Sequence, residues 1–210
     1  MTFERHNDAC GDEIGGRRVL FVMATDHEYG PALRARIRPL ITGVGPIEAA
    51  LATGVALARL HALGHAPALV VSLGSAGSRT CSLGEVYQVA SVSWRDMDAS
   101  ALGFERGVTP FLMHPASMPL VTPLRDVPTA TLSTGANVVA GDDYGGIAAD
   151  MVDMETFAVL RACQRYDVPL MGLRGVSDGP GELNGLLDWT ALLETLDVRL
   201  ADAIDRLARL

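Results

Sequence analysis

Apolar residues fall in short unbroken runs that recur down the chain. RRVLFVMA (17–24), PLITG (39–43), PALVVSLG (67–74) and PLMGLRGVSDG (169–179) each read as a strand buried on both faces. EVYQVASVSW (85–94) and TATLSTG (129–135) are rich in β-branched residues and read as strands too. Between these runs the apolar period lengthens to three or four. Pro46 to His61 reads as an Ala-rich helix closed by Gly64. A second helix runs from about Met154, with Met154, Phe157, Ala158, Leu160 and Ala162 available to bury. Asp188 is expected to cap a last helix, in which Trp189, Leu193, Leu196, Leu200, Ala203, Ile204 and Leu207 recur. Strands alternating with helices imply an α/β sandwich around a largely parallel or mixed sheet.

Composition narrows the classes. The 210 residues suit one domain, and 49% hydrophobic content can fill a large core. Residues 1–16 are polar, mixed in charge and without an apolar h-region; they are expected to be a frayed tail rather than a secretory signal, with residues 17–210 as the single domain. No apolar run reaches the roughly 18 residues needed to cross a bilayer, so no membrane partner is expected. A formal net charge of −8 argues against a nucleic-acid partner, whose phosphates need a basic surface. Cys10, Cys81 and Cys163 are odd in number and lack metal-ligand spacing, as in a cytosolic protein with reduced thiols.

The turn after the second strand, Gly43-Val44-Gly45-Pro46, raises the question of a dinucleotide fold. The third glycine of that fingerprint is replaced by Glu48, and the next carboxylate is Glu85, too far on for a ribose ligand. The dinucleotide reading fails; a plain strand–helix turn and a turn lining a ligand site both remain. In α/β folds ligands collect at the carboxyl ends of strands. Three carboxylates from distant parts of the chain, Glu28, Glu155 and Asp178, fall at such ends. No Cys/His cluster accompanies them, so no zinc site is expected. Taken singly each has a duller explanation: Asp178 as a turn former, Glu155 as a complement to a helix dipole, Glu28 as a loop acid.

Jointly they carry a resemblance. The segments VLFVMATDHE, ITGVGPIEAALA, VVSLGSAGS, RDMDASALGFERGVTPF and DMVDMETFAVLRACQRYDVPLMGLRGVSD, in that order, resemble the purine nucleoside phosphorylase/nucleosidase superfamily. Within it they look most like 5'-methylthioadenosine/S-adenosylhomocysteine nucleosidases. The resemblance implies a single-domain three-layer α/β/α sandwich with a central mixed twisted sheet, no cofactor and no metal, and a homodimer acting on a small purine nucleoside. Residue by residue, Asp178 matches the acid that protonates purine N7, and Glu155 the carboxylate that holds the ribose hydroxyls. Glu28 matches the base that activates water. Ser75 and Met154 match residues beside the sugar, and Ser177 precedes Asp178 in the matching pair. Val138 falls where backbone groups read the adenine edge; Asn137 stands where many members carry a base-stacking phenylalanine. Leu102, Phe104 and Pro110 match an apolar segment that, in the family's dimers, covers the 5'-substituent from the neighbouring subunit. Only about fifteen residues, Tyr29 to Leu40 and its flanks, join Glu28 to the next strand, where the family has an extra hairpin.

The chemistry suits these residue types. Breaking an N-glycosidic bond to adenine needs an acid at the base, negative charge near an oxocarbenium-like sugar, and an aimed water. A phosphorylase on the same fold would need an anion site. The first strand end here is Asp26-His27-Glu28, and each carboxylate at 4 Å would repel a unit charge by about 4 kcal/mol at an effective dielectric near 20. Arg34, Arg36 and Arg38 read as solvated loop charges. Water is therefore the expected acceptor. The alternatives are a phosphorylase, a hydrolase of another 5'-substituted adenosyl or futalosine-type nucleoside, and a non-catalytic nucleoside-binding protein.

Overall fold

The expected strands form, and their pairing decides where the site lies. The computed structural model describes residues 11–179, 181 and 189–210. Its strands are β1 (Asp12–Ile14), β2 (Arg17–Met23), β3 (Leu40–Ile41), β4 (Leu69–Ser78), β5 (Val86–Trp94), β6 (Ser117–Pro119), β7 (Thr129–Thr134), β8 (Met151–Asp153) and β9 (Leu170–Asp178). Its α-helices are α1 (Pro31–Arg34), α2 (Pro46–Ala62), α3 (Thr156–Gln164) and α4 (Leu193–Leu207). Asp188, the expected cap of the last helix, lies outside the described residues. Within the expected tail, Asp12–Ile14 instead pairs antiparallel with β2, and residues 1–10 lie outside the described residues.

The sheet is mixed, as expected, but it is not an open middle layer. β4 pairs parallel with β2 and β9 and antiparallel with β8; β8 runs parallel to β7, β7 to β5, and β5 returns antiparallel to β9. The circuit β4–β8–β7–β5–β9 thus closes on itself. The cause sits in Gly74-Ser75-Ala76-Gly77-Ser78, which the sequence suggested as a turn. These small residues continue β4 instead, and a register shift between Ala76 and Gly77 lets the strand bend toward β8.

Two apolar clusters cover the sheet from opposite sides. One packs Leu57 and Leu60 of α2 and Val159, Leu160 and Cys163 of α3 over Val70, Val89 and Leu132. The other packs Leu33 of α1 and Leu200, Ile204 and Leu207 of α4 over Phe21, Val71 and Leu173. The one-turn helix α1 is held by α4: Asp197 accepts from Ala32 N at 2.7 Å and Leu33 N at 3.0 Å. That cap anchors the short connection after Glu28. Among the described residues no helix is long and apolar enough to cross a membrane.

Candidate active site

The carboxyl ends of β2, β4 and β9 meet the start of α3 around a cavity of about 480 Å³. That lies in the range of about 300–1,000 Å³ typical of small-molecule sites. Glu28, Glu155 and Asp178 all line it, with Ser75, Met154, Asn137 and Val138. Seven of the expected site residues are therefore brought to one place.

Each acid is held differently. Glu28 follows β2 in a 3-10 turn, Asp26–Glu28, and is 8% exposed; its Oε1 accepts from Ser75 N at 2.6 Å. Burial raises its pKa, and the Ser75 hydrogen bonds pull the other way. Glu155 precedes α3 as its N-cap residue, and its Oε1 accepts from Gly45 N at 2.9 Å. Gly45 has φ 98° and caps α2, with Pro46 opening that helix, so the glycine turn is what aims this N–H at the carboxylate. The turn after β3 therefore serves the site. Burial, with the nearby charge of Asp153 second, pushes the Glu155 pKa up to about 7. Asp178 ends β9; burial raises its pKa against the hydrogen bond from Ser177. Ser177 itself is buried at 4% exposure and touches the cavity only through Asp178, donating from Oγ to Oδ1 at 2.5 Å.

Beneath the acids lies an ion pair that the sequence reading missed. Arg174 and Asp153 have side chains 2% and 1% exposed and meet at 2.9 Å. Arg174 also donates to Ser72 Oγ at 2.9 Å and Thr156 Oγ1 at 2.6 Å. Asp153 accepts from Thr134 Oγ1 at 2.6 Å and Thr156 N at 2.9 Å. Burial pulls the Asp153 pKa upward, but Arg174 and the threonines together carry it below the ordinary carboxylate value. The available signal was an arginine inside the apolar run LMGLRGV, where a charge needs a buried partner.

Two more unforeseen residues line the cavity. Arg95, just past β5, donates to Ser133 O at 2.6 Å, Asp153 O at 3.0 Å, Asn137 O at 2.6 Å and Asn137 Oδ1 at 3.3 Å. Its guanidinium thus lines the cavity beside Asn137 and Val138, with its donors committed to protein carbonyls. Trp189 donates from Nε1 to Ser75 Oγ at 3.0 Å. Leu102, Phe104 and Pro110 do not reach this chain's cavity. Leu102 is 74% exposed, and Phe104 packs edge-on against Phe111. Arg34 and Arg36 turn to Tyr29 O and Asp205, and neither lines the cavity.

A mixed α/β sheet thus gathers three unlike carboxylates around one cavity. A family model described as "Phosphorylase superfamily" matches residues 133–209. The chain is 27% identical over 186 residues to the 5'-methylthioadenosine/S-adenosylhomocysteine nucleosidase of Staphylococcus aureus (strain MRSA252), spanning 79% of this chain and 78% of that protein. Among solved structures, the futalosine hydrolase of Helicobacter pylori strain 26695 matches with a TM-score of 0.76 at 19% identity, covering 91% of this chain and 97% of that one. A 5'-methylthioadenosine/S-adenosylhomocysteine nucleosidase from Colwellia psychrerythraea 34H, in complex with adenine, matches with a TM-score of 0.74 at 20% identity, covering 90% and 95%. The chain therefore resembles the phosphorylase superfamily, and the proteins it is similar to are nucleosidases, that is, N-glycosyl hydrolases.

Proposed function

We propose that this protein is a purine nucleosidase that hydrolyses the N-glycosidic bond of 5'-methylthioadenosine, S-adenosylhomocysteine or both, releasing adenine and the 5-substituted ribose. The observation that carries the reading is the trio of carboxylates around one cavity, each in a different environment. Asp178, its pKa raised by burial, is the acid that faces the leaving base. Glu155, fixed by Gly45 N–H, faces the sugar, where its charge stabilises the developing cation. Glu28, anchored to Ser75 N–H, is the base that aims water. Ser75, Met154, Val138 and Asn137 bind the nucleoside, and Ser177 orients Asp178.

Water rather than phosphate is the acceptor on this reading. Glu28 and Glu155 flank the sugar end, and the cation nearest them, Arg174, is buried and bound to Asp153. A phosphate dianion there would meet two carboxylates without a free guanidinium to receive it. A futalosine-type nucleoside is the second reading, favoured by the likeness to futalosine hydrolase and by Arg95 beside Asn137 on the base wall.

The protein is also proposed to act as a homodimer. Val44, Ile47, Leu51 and Val55 form an apolar stripe along α2 at 56–71% exposure, and Leu102, Phe111 and Met113 are exposed at 74–98%. Monomers rarely leave so much apolar surface in water.

The test is base release from 5'-methylthioadenosine, S-adenosylhomocysteine and a futalosine-type nucleoside, in phosphate-free buffer and with added phosphate. Adenine and free methylthioribose without phosphate, abolished in Asp178→Asn, is the expected result. Strict dependence on phosphate refutes hydrolysis, and stoichiometric binding without turnover refutes catalysis.

A further inference from the structure

One buried polar group beside the site has no task in the reaction as described so far. Tyr144 lies in the 3-10 turn Gly141–Gly146 and is 3% exposed, packed with Val139, Val152 and Ile147. Among the described residues its hydroxyl has no hydrogen-bond partner. Leaving a buried hydroxyl unpaired is unfavourable, so a structure that keeps one has a use for it in another state. The oxygen points at Gly77 of β4. The position that a Cβ on Gly77 would occupy is in contact with Tyr144 Oη and 2.7 Å from Asp178 Oδ2. The absent side chain is what lets the two oxygens approach each other. Asp178 Oδ1 is already taken by Ser177, whereas Oδ2 is the oxygen on the tyrosine's side.

We infer that Tyr144 is a positioning residue for Asp178: its O–H turns onto Asp178 Oδ2 and holds the carboxylate that forms when that acid gives its proton to the base. The inference rests on the nucleosidase reading. As the bond from anomeric carbon to purine nitrogen breaks, its electron pair passes to the base, and the Asp178 proton passes to the ring nitrogen. Asp178 is left with a negative charge. Tyr144 keeps its own proton throughout and donates only a hydrogen bond. Burial first, and the Asp178 charge second, hold its phenol well above the ordinary range, so it does not compete as an acid. The other charges facing it are accounted for. Arg95 lies near enough to favour the phenolate, but burial outweighs it, and its donors go to carbonyls and Asn137. Arg79 grips Tyr144 O and Ile147 O at 2.9 Å each and so fixes the turn rather than the hydroxyl.

A donor to the carboxylate lowers the pKa of Asp178, so removing it raises that pKa. Asp178 must be protonated to act, and activity is lost as pH rises through its pKa. In Tyr144→Phe the basic limb of the rate profile for 5'-methylthioadenosine should move up by about one pH unit. kcat should fall about tenfold with KM within about twofold, the size of one hydrogen bond to a charged group. The melting temperature should hold or rise, because the lost hydroxyl has no partner among the described residues. An activity-free reading separates this inference from the function it rests on. The Asp178 carboxyl band, assigned by its loss in Asp178→Asn, is titrated by infrared difference spectroscopy in the ligand-free protein. Its midpoint should rise by about one unit in Tyr144→Phe and fall with 3-fluorotyrosine, a stronger donor, at position 144. Unmoved midpoints overturn the inference even if base is released. A wild-type protein that releases no base overturns the nucleosidase reading instead.

Discussion

Removing Arg174 should cost more stability than removing most core side chains, and the cost should grow with pH. Arg174→Met keeps much of the volume but deletes the partner of an Asp153 side chain that is 1% exposed. Breaking a buried pair from one side costs about 3–5 kcal/mol, because the remaining charge is stranded. The threonine hydroxyls still donate to Asp153, which argues for the lower half of that range. For a chain of this size the loss corresponds to about 6–16 °C in Tm.

The pH dependence follows from the direction of one pKa. With Arg174 present, Asp153 sits below its ordinary value, so its contribution is complete above the unfolded pKa near 4 and is lost only as the solution becomes more acidic. Without Arg174, burial dominates and the folded pKa rises above the unfolded one. Stability then falls with increasing pH by about 1.4 kcal/mol per unit, from about pH 4 to the new pKa. Urea melts of wild type and variant at pH 5, 7 and 8 measure the difference. A loss of roughly 1–2 kcal/mol at pH 5 should widen to about 3 or more at pH 7. Equal losses at pH 5 and pH 7, or less than about 1 kcal/mol at pH 7, would refute the account of the pair. The double variant with Asp153→Asn should recover part of the loss, since it removes the stranded charge.

Glu155→Gln should be inactive and yet more stable than wild type at pH 8, with the gain shrinking toward nothing below about pH 4. The Glu155 pKa of about 7 lies above its unfolded value, so stability is lost progressively as pH rises from that unfolded value to about 7, and the loss is complete above it; a Tm gain absent at pH 8 would contradict this. Ile47→Glu with Leu51→Glu should convert a dimer to monomer in sedimentation without lowering Tm by more than a few degrees, because both side chains are already more than 60% exposed. A wild type that sediments as a monomer, or a variant that stays dimeric, would remove α2 from the interface.

The regular strands were legible because burial on both faces demands unbroken apolar runs. β6 and β8 were not, since three residues each are too few to carry a period. Closure of the sheet was hidden for a different reason: it goes with register shifts at Ala76/Gly77 and Val89/Ser91, and the small residues at the first look like a turn. The acids were legible from their strand ends and from the resemblance. Arg95 and Tyr144 left no comparable signal, because their roles come from loops that meet only in the fold. Leu102, Phe104 and Pro110 were readable as apolar but lie on the surface of a single chain.

The rigid half and the adaptable half of the cavity have different physical origins. On the side proposed to hold the sugar, Glu155 is pinned by Gly45 N–H and Glu28 by Ser75 N–H, while the strand below is locked by the Arg174–Asp153 pair. Backbone donors on regular elements cannot move far without breaking the sheet, so the acids keep their spacing whatever nucleoside enters. On the side proposed to hold the base the wall is a loop: Asn137 and Val138 are exposed, with Asn137 held by Arg95 and the neighbouring Ala136 N by Asp96. A set of relatives that share the reaction but differ in substrate is the outcome such a division permits. Changes in this protein's substrate preference should therefore follow substitutions at Arg95 and Asn137, while substitutions at the pinned acids should abolish turnover for every substrate alike.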